Sequence, residues 1–242
     1  MRIFIFILLL SFSVFVFIEA KSKDSSTLYR QHIEKNINAT NSESISDFTF
    51  DELEKLSKTA EPEGKLKTKL NDHLSMVYVV NRNNNLNLDK PYLRIAFWNV
   101  HRGFNILEIK EILLHQNAYE KKYMTNIKPR YRKNFKAELN TFATADIFCL
   151  NEVDIGIPRT QYKNIVSELG DSLNWDYAYA SEFVEVGPLF KKQVVDKTLY
   201  KGLHGNAIIS KFPIISAEVL DCRINMTGIE QKLLNISLLL SI

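Results

Sequence analysis

Four side chains that can coordinate a metal or hold an anion lie beside the ends of predicted strands. Asn99 and Glu152 each follow a short apolar run, and His204 and Asn206 open a third. Carboxylate oxygens bind hard cations, and imidazoles exchange protons near neutral pH. In open α/β sheets, ligands gather at the carboxyl ends of the strands. The pattern therefore indicates a polar site at one edge of a sheet.

Each of these residues also has a purely structural interpretation. An Asn that closes a strand commonly completes a turn, as Asn99 would, by hydrogen bonding to nearby backbone. A carboxylate such as Glu152 at a strand end is often simply solvated, and His204, which lies between two glycines, is typical of a turn. Asp154 is expected to hold its own loop rather than a metal. No single residue decides the function.

Hydrophobic periodicity predicts the elements that position these residues. Alternating or continuous apolar runs of strand length interleave with amphipathic stretches of helix length, so residues 92–242 are expected to form an α/β (α+β) domain. Residues 21–91 are polar and read as an extension or linker with a short helix or two. The predicted strands cover 93–98, 146–151, 175–183, 206–210 and 214–221, and the predicted helices cover 106–114, 134–144 and 160–173.

The first twenty residues are typical of a secretory signal. Arg2 precedes an apolar run over residues 3–18, and Ala20 offers a small residue before a charged stretch. We therefore expect residues 1–20 to be a signal peptide and the protein to be secreted or periplasmic. An uncleaved membrane anchor is the alternative, although the run of 16 residues falls just short of the roughly 17–25 needed to span a bilayer.

Charge and cysteine content leave two further alternatives open. The net charge of +3 tolerates a polyanionic partner without requiring one, and the basic stretch over residues 119–139 is either a nucleic-acid contact or a solvated face. An exported protein could pair Cys149 with Cys222. Because Cys149 lies in an apolar run, a buried free thiol is favoured.

Three segments together resemble a known family. They are Arg94-Ile-Ala-Phe-Trp-Asn-Val-His-Arg-Gly103, then Ala145-Asp-Ile-Phe-Cys-Leu-Asn-Glu-Val-Asp154 with its continuation into Gly156 and Arg159-Thr160, and Gly202-Leu-His-Gly-Asn-Ala-Ile-Ile-Ser-Lys-Phe-Pro213. In order and spacing they look like the endonuclease/exonuclease/phosphatase superfamily, which includes deoxyribonuclease I, abasic-site endonucleases, bacterial sphingomyelinases and inositol-phosphate phosphatases. The resemblance covers about residues 92–222.

The resemblance implies a role for each of the four residues. Glu152 would bind Mg²⁺ or Mn²⁺, and Asn99 would lie on the floor of the site beside the metal and the scissile phosphate. His204 and Asn206 would edge the site and touch the substrate phosphate. The substrate would be a phosphate ester in a nucleic acid, a phospholipid or an inositol phosphate, and no obligate protein partner is indicated. Asn151 departs mildly from the family, which more often has Gln there.

Two segments that the family uses in hydrolysis do not occur in the sequence. One is Gly-Asp-x-Asn, which activates the attacking water and holds the phosphate, and the other is Ser-Asp-His. The expected fold is therefore the first half of a four-layer β-sandwich, truncated before the catalytic set is complete. A metal-dependent phosphoester hydrolase lineage is the leading expectation, and a non-catalytic exported binding protein that keeps the scaffold is the alternative.

Overall fold

The computed structural model describes residues 48–59, 61–82, 93–104, 106–222 and 231–238. The predicted signal peptide, residues 1–20, lies outside these ranges, as does most of the polar stretch that follows it. Among the described residues, no helix is long and apolar enough to cross a membrane.

Strands and helices alternate along the described ranges, as expected for an α/β chain. The strands are β1 (Tyr78–Val80), β2 (Ile95–Asn99), β3 (Ile147–Ile155), β4 (Asp176–Val184), β5 (Leu203–Ser210), β6 (Ile214–Cys222) and β7 (Gln231–Leu238). The helices are α1 (Phe50–Lys58), α2 (Gly64–Ser75), α3 (Ile106–Leu114), α4 (Gln116–Met124), α5 (Arg132–Ala143), α6 (Ile165–Leu173) and the single turn α7 (Gly187–Phe190).

Five of the strands form one open mixed sheet in the order β1-β4-β5-β3-β2. Strands β2 and β3 are parallel, and their register places Asn99 opposite Asn151. The other neighbours in this sheet are antiparallel. Strands β6 and β7 form a separate antiparallel pair. The fold is therefore mixed α/β, with an open five-stranded sheet and helices.

The two faces of the five-stranded sheet are covered differently. Apolar side chains of α3 and α6, among them Ile109 and Leu169, pack on one face. On the other face, Ile147, Cys149 and Ile208 pack with Ile214 of β6. Because both faces are covered, β3 carries a nearly continuous apolar run instead of a simple alternation.

Helix α6 shows how local sequence fixes an element beneath the sheet. Its N-cap is Asn164, whose side-chain oxygen accepts a hydrogen bond from the Ser167 backbone N–H at 3.1 Å. Gly170 lets the helix approach β4 closely, since a Cβ at that position would lie 2.2 Å from the Tyr177 ring. The helix starts at Ile165 rather than at residue 160 as expected, because a 3₁₀ turn occupies Pro158–Thr160.

Residues 48–59 and 61–82 contain the two short helices expected in the extension, together with a strand that the sequence did not predict. Helix α1 begins with a capping box between Thr49 and Glu52, and its Leu53 is fully buried. Strand β1 adds an edge to the main sheet by pairing with β4. A three-residue strand is too short to give a periodic signal. The polar composition of the surrounding residues therefore gave no indication of β1.

Candidate functional site

Asn99 and Glu152 are in direct contact at the end of β2. The Asn99 amide nitrogen donates to Glu152 Oε1 at 2.7 Å, and the Asn99 oxygen accepts from the His101 backbone N–H at 2.8 Å. A backbone N–H can only donate and a carboxylate can only accept, so these partners fix the amide orientation. The amide therefore holds the Glu152 carboxylate in place.

A β-bulge in β3 brings Glu152 to this position. The pairing of β3 with β5 shifts between Leu150 and Val153, and Glu152 has a left-handed backbone with φ of 56°. A bulge re-aims side chains that a regular strand would alternate between faces. The sequence predicted that this strand ends beside Glu152. In the structure the strand continues through Glu152 to Ile155.

A row of carboxamides crosses the sheet beside this contact. Asn151 donates from its amide nitrogen to Asn206 Oδ1 at 3.2 Å, which links β3 to β5. With strands about 4.8 Å apart, Asn99, Asn151 and Asn206 span roughly two strand spacings. Asn206 Nδ2 makes no hydrogen bond within the described ranges. This amide can therefore donate to an anionic ligand.

His204 belongs to a second, neighbouring cluster. Its Nδ1 lies 2.7 Å from Asp154 Oδ1, and its ring packs against Phe183 with centroids 4.7 Å apart. His204 is two residues from Asn206 along β5, a separation of roughly 7 Å. The structure thus brings Asn99 to Glu152 and Asn206 to Asn151, and holds His204 apart with Asp154.

Arg159 neutralises the buried end of this cluster. It binds both oxygens of Asp154, at 2.6 and 3.0 Å, and both oxygens of Glu185, at 2.7 and 2.5 Å. Burial by itself would lower the pKa of Arg159, but the hydrogen bonds that it donates to Glu185 and Asp154 outweigh burial and raise that pKa. Since Asp154 is fully buried and both its oxygens are occupied, it is unsuited to ligate a metal.

The sequence predicted no role for Arg159, although it belongs to the second segment of the resemblance, and it did not single out Glu185 or Phe183. Arg159 and Glu185 are separated by 26 residues, and no periodic or motif signal connects them. Only the return of the chain through β4 brings the two side chains together.

The basic stretch and Cys149 make none of the contacts described for these clusters. Lys122 pairs with Glu111 at 3.1 Å and Lys136 with Glu120 at 3.1 Å, so acids on neighbouring helices offset part of the positive charge. Cys149 is a buried free thiol, and burial raises its pKa to about 12. The Cys222 side chain lies outside what the structure describes.

The chemistry of the donors fits a hard divalent ion with few protein ligands. Glu152 Oε2 is left without a hydrogen-bonding or cationic partner in the described part of the chain. That part contains no group of three or more His, Cys, Asp or Glu side chains able to hold a metal. Mg²⁺ commonly takes one or two carboxylates and keeps several waters, so a single oriented carboxylate is compatible with it.

Comparison with models of known families, with curated proteins and with solved structures finds no match.

Proposed function

We propose that this chain carries the metal-binding end of a phosphoester hydrolase site of the endonuclease/exonuclease/phosphatase type. The contact between Asn99 and Glu152 is the observation that carries the proposal. It joins an amide and a carboxylate that lie 53 residues apart, where β2 and its pairing with the parallel strand β3 end. A half-buried carboxylate oriented by an amide is a suitable ligand for a hard cation.

In this proposal the chain's residues hold the ion and the substrate phosphate. Glu152 binds Mg²⁺ or Mn²⁺ through its unbonded oxygen, and Asn99 orients that carboxylate. Asn206 donates its free amide hydrogens to a phosphate oxygen, and His204, held by Asp154, lines the edge of the site. The bound ion would polarise a phosphoryl oxygen and stabilise charge on the departing oxygen.

We propose a second sheet in addition to the five-stranded sheet. The β6–β7 pair is proposed to belong to the second sheet of a four-layer sandwich, in which it faces the side of the main sheet that carries Asn99 and Asn206. Packing of Ile214, Ala217 and Val219 against Cys149 and Ile208 supports that arrangement.

A non-catalytic exported binding protein is the second candidate. The contacts of Asn99, Glu152 and Asn206 are compatible with it, because these side chains are arranged to hold an ion and an anion. In that case the same residues would bind a metal and a phosphate ester without turnover.

A turnover assay separates the two candidates. The chain is incubated with bis(p-nitrophenyl) phosphate in Mg²⁺, in Mn²⁺ and in chelator, beside the Glu152→Gln variant and the distant Glu120→Gln variant as a charge-matched control. Metal-dependent release of nitrophenol that only Glu152→Gln abolishes supports the hydrolase. Metal binding at Glu152 without turnover supports the binding protein. Turnover that survives Glu152→Gln refutes the metal-ligand role.

A further inference from the structure

The loop between β4 and β5 carries an exposed combination of lysines and aliphatic side chains. Val194 is 99% exposed and Leu199 is 50% exposed. Lys191, Lys192 and Lys197 are exposed around them. We propose that this loop docks the protein on an anionic lipid surface, with the lysines among the headgroup phosphates and Val194 in the interface.

The lysines of the loop lack acidic partners in the part of the chain that the structure describes. No ion pair engages Lys191, Lys192 or Lys197 there, and Lys197 instead lies 4.9 Å from the centre of the Phe50 ring.

The acids nearest to these lysines in sequence already have hydrogen-bonding partners. Glu185 binds Arg159, and Asp196 accepts from the backbone and hydroxyl of Thr198 at 2.9 and 2.6 Å. The positive charge is therefore available to an external anion.

A groove beside the loop has the same mixed character. It encloses about 540 Å³ between α1 and the loop. Its cations are Lys58, Lys192 and Lys197, opposed by the single acid Glu54, and its remaining lining is apolar or neutral polar. Phosphate headgroups match the lysines, and acyl chains match the aliphatic wall.

Hydrogen bonds hold the two ends of the loop to the rest of the protein. The Glu185 backbone N–H donates to Gly202 O at 2.6 Å, and the Asp196 backbone N–H donates to the Tyr162 hydroxyl at 2.8 Å. Tyr200 is buried and its hydroxyl donates to Glu185 O. Val194 is thus presented by an ordered segment.

The composition favours lipid over nucleic acid. Proteins that bind single-stranded nucleic acid stack bases on aromatic rings. The exposed residues of this loop include no aromatic ring and are Lys191, Lys192, Gln193, Val194, Asp196, Lys197, Thr198 and Leu199. A fully exposed Val gains nothing from a phosphate backbone, but it gains when it leaves water for a bilayer interface. The inference does not rest on the hydrolase proposal, because docking requires neither metal nor turnover.

Co-sedimentation with vesicles tests the inference. The full chain, in chelator, is mixed with phosphatidylcholine vesicles with and without phosphatidylserine. The apolar residues 3–18 are present in every variant, so the dependence on phosphatidylserine isolates the electrostatic contribution. We expect K191A/K192A/K197A to weaken binding to the anionic vesicles by about tenfold or more, and Val194→Ser to weaken it severalfold without changing charge.

The control removes equal charge elsewhere, with K121A/K128A/K133A in the basic stretch, and should bind as the wild type does. Equal binding of the lysine-loop variant and the wild type would overturn the proposal. So would an equal loss in the control, or a loss of duplex DNA binding in the loop variant while vesicle binding stays unchanged.

Discussion

The Asn99 amide nitrogen lies 2.7 Å from Glu152 Oε1, although 53 residues separate them in the chain. Parallel pairing of β2 with β3 brings the two residues to one edge of the sheet. The bulge at residues 151–152 then turns the Glu152 carboxylate toward the amide. Glu152 adopts a left-handed backbone there, a conformation that costs a non-glycine residue about 1–3 kcal/mol.

Substitution of Glu152 by Gly and by Ala should expose this backbone strain. Both variants lose the carboxylate, so the difference between their free energies of unfolding reports the cost of the left-handed φ. We expect the Gly variant to be more stable than the Ala variant by about 1 kcal/mol. At an ordinary strand position the order is the reverse, because Gly is weaker there by roughly 0.5–1 kcal/mol. Urea unfolding measures the difference, and an Ala variant of equal or greater stability would contradict the left-handed assignment.

Loss of Arg159 should leave buried Asp154 without its counter-charge. We expect Arg159→Met to lower the free energy of unfolding by about 3 kcal/mol, since an uncompensated buried charge typically costs 3–5 kcal/mol. Adding Asp154→Asn should recover part of the loss, because the neutral amide needs no cation. Urea unfolding of the two single variants and the double variant measures the coupling. If the loss in the double variant equals the sum of the losses in the two single variants, the two side chains do not interact.

Gly205 should tolerate no side chain. A Cβ at this position would lie 2.1 Å from the Ala180 carbonyl oxygen, which is backbone and has little freedom to move. Gly205→Ala should therefore destabilise the protein by about 3 kcal/mol or prevent folding. Gly187→Ala is the matched control, since a Cβ there meets nothing within 4 Å. Similar thermal melting of the two variants would show that β4 and β5 are not paired as described.

The Cys149 thiol should be unreactive in the native protein. Burial raises its pKa from 9.0 to about 12, so almost no thiolate is present at pH 8. Labelling with a thiol reagent, with Cys149→Ala as the reference, should modify Cys149 only after unfolding. Rapid labelling of native Cys149 would contradict its burial.

The same pKa shift gives a direction to the pH dependence of stability. The folded state holds the Cys149 proton more tightly than the unfolded state, so this stabilisation is complete below about pH 9 and is lost as the pH rises toward 12. Cys149→Ala should therefore lose less stability than the wild type between these pH values. If the free energies of unfolding of the two proteins change with pH in the same way, the raised pKa of Cys149 is contradicted.

The sequence was sufficient to predict the positions along the chain of several strands and helices around the site. The apolar run before Glu152 predicted β3, and the periodicity of residues 106–114 matches α3. The convergence of Asn99 and Glu152 follows from the parallel pairing of β2 with β3, which places Asn99 opposite Asn151, the residue before Glu152. These features depend on local periodicity, which the sequence displays directly.

The remaining features depend on contacts between distant residues. A bulge is a one-residue change in pairing that only the partner strand reveals, so Glu152 was expected at the end of β3 rather than within it. Arg159 follows β3 and Glu185 follows β4, and the two side chains meet because both strands pair with β5. Strand β1 is too short to carry a period of its own, and its place in the sheet comes from pairing with β4.

Binding of Mn²⁺ tests the central claim most directly. The chain is titrated with Mn²⁺ while the free ion is followed by electron paramagnetic resonance, with Mg²⁺ as competitor and with the Glu152→Gln and Glu120→Gln variants alongside. We expect one Mn²⁺ site, from which Mg²⁺ displaces the Mn²⁺. Glu152→Gln should eliminate this site and Glu120→Gln should retain it. Equal Mn²⁺ binding by Glu152→Gln and the wild type would contradict it.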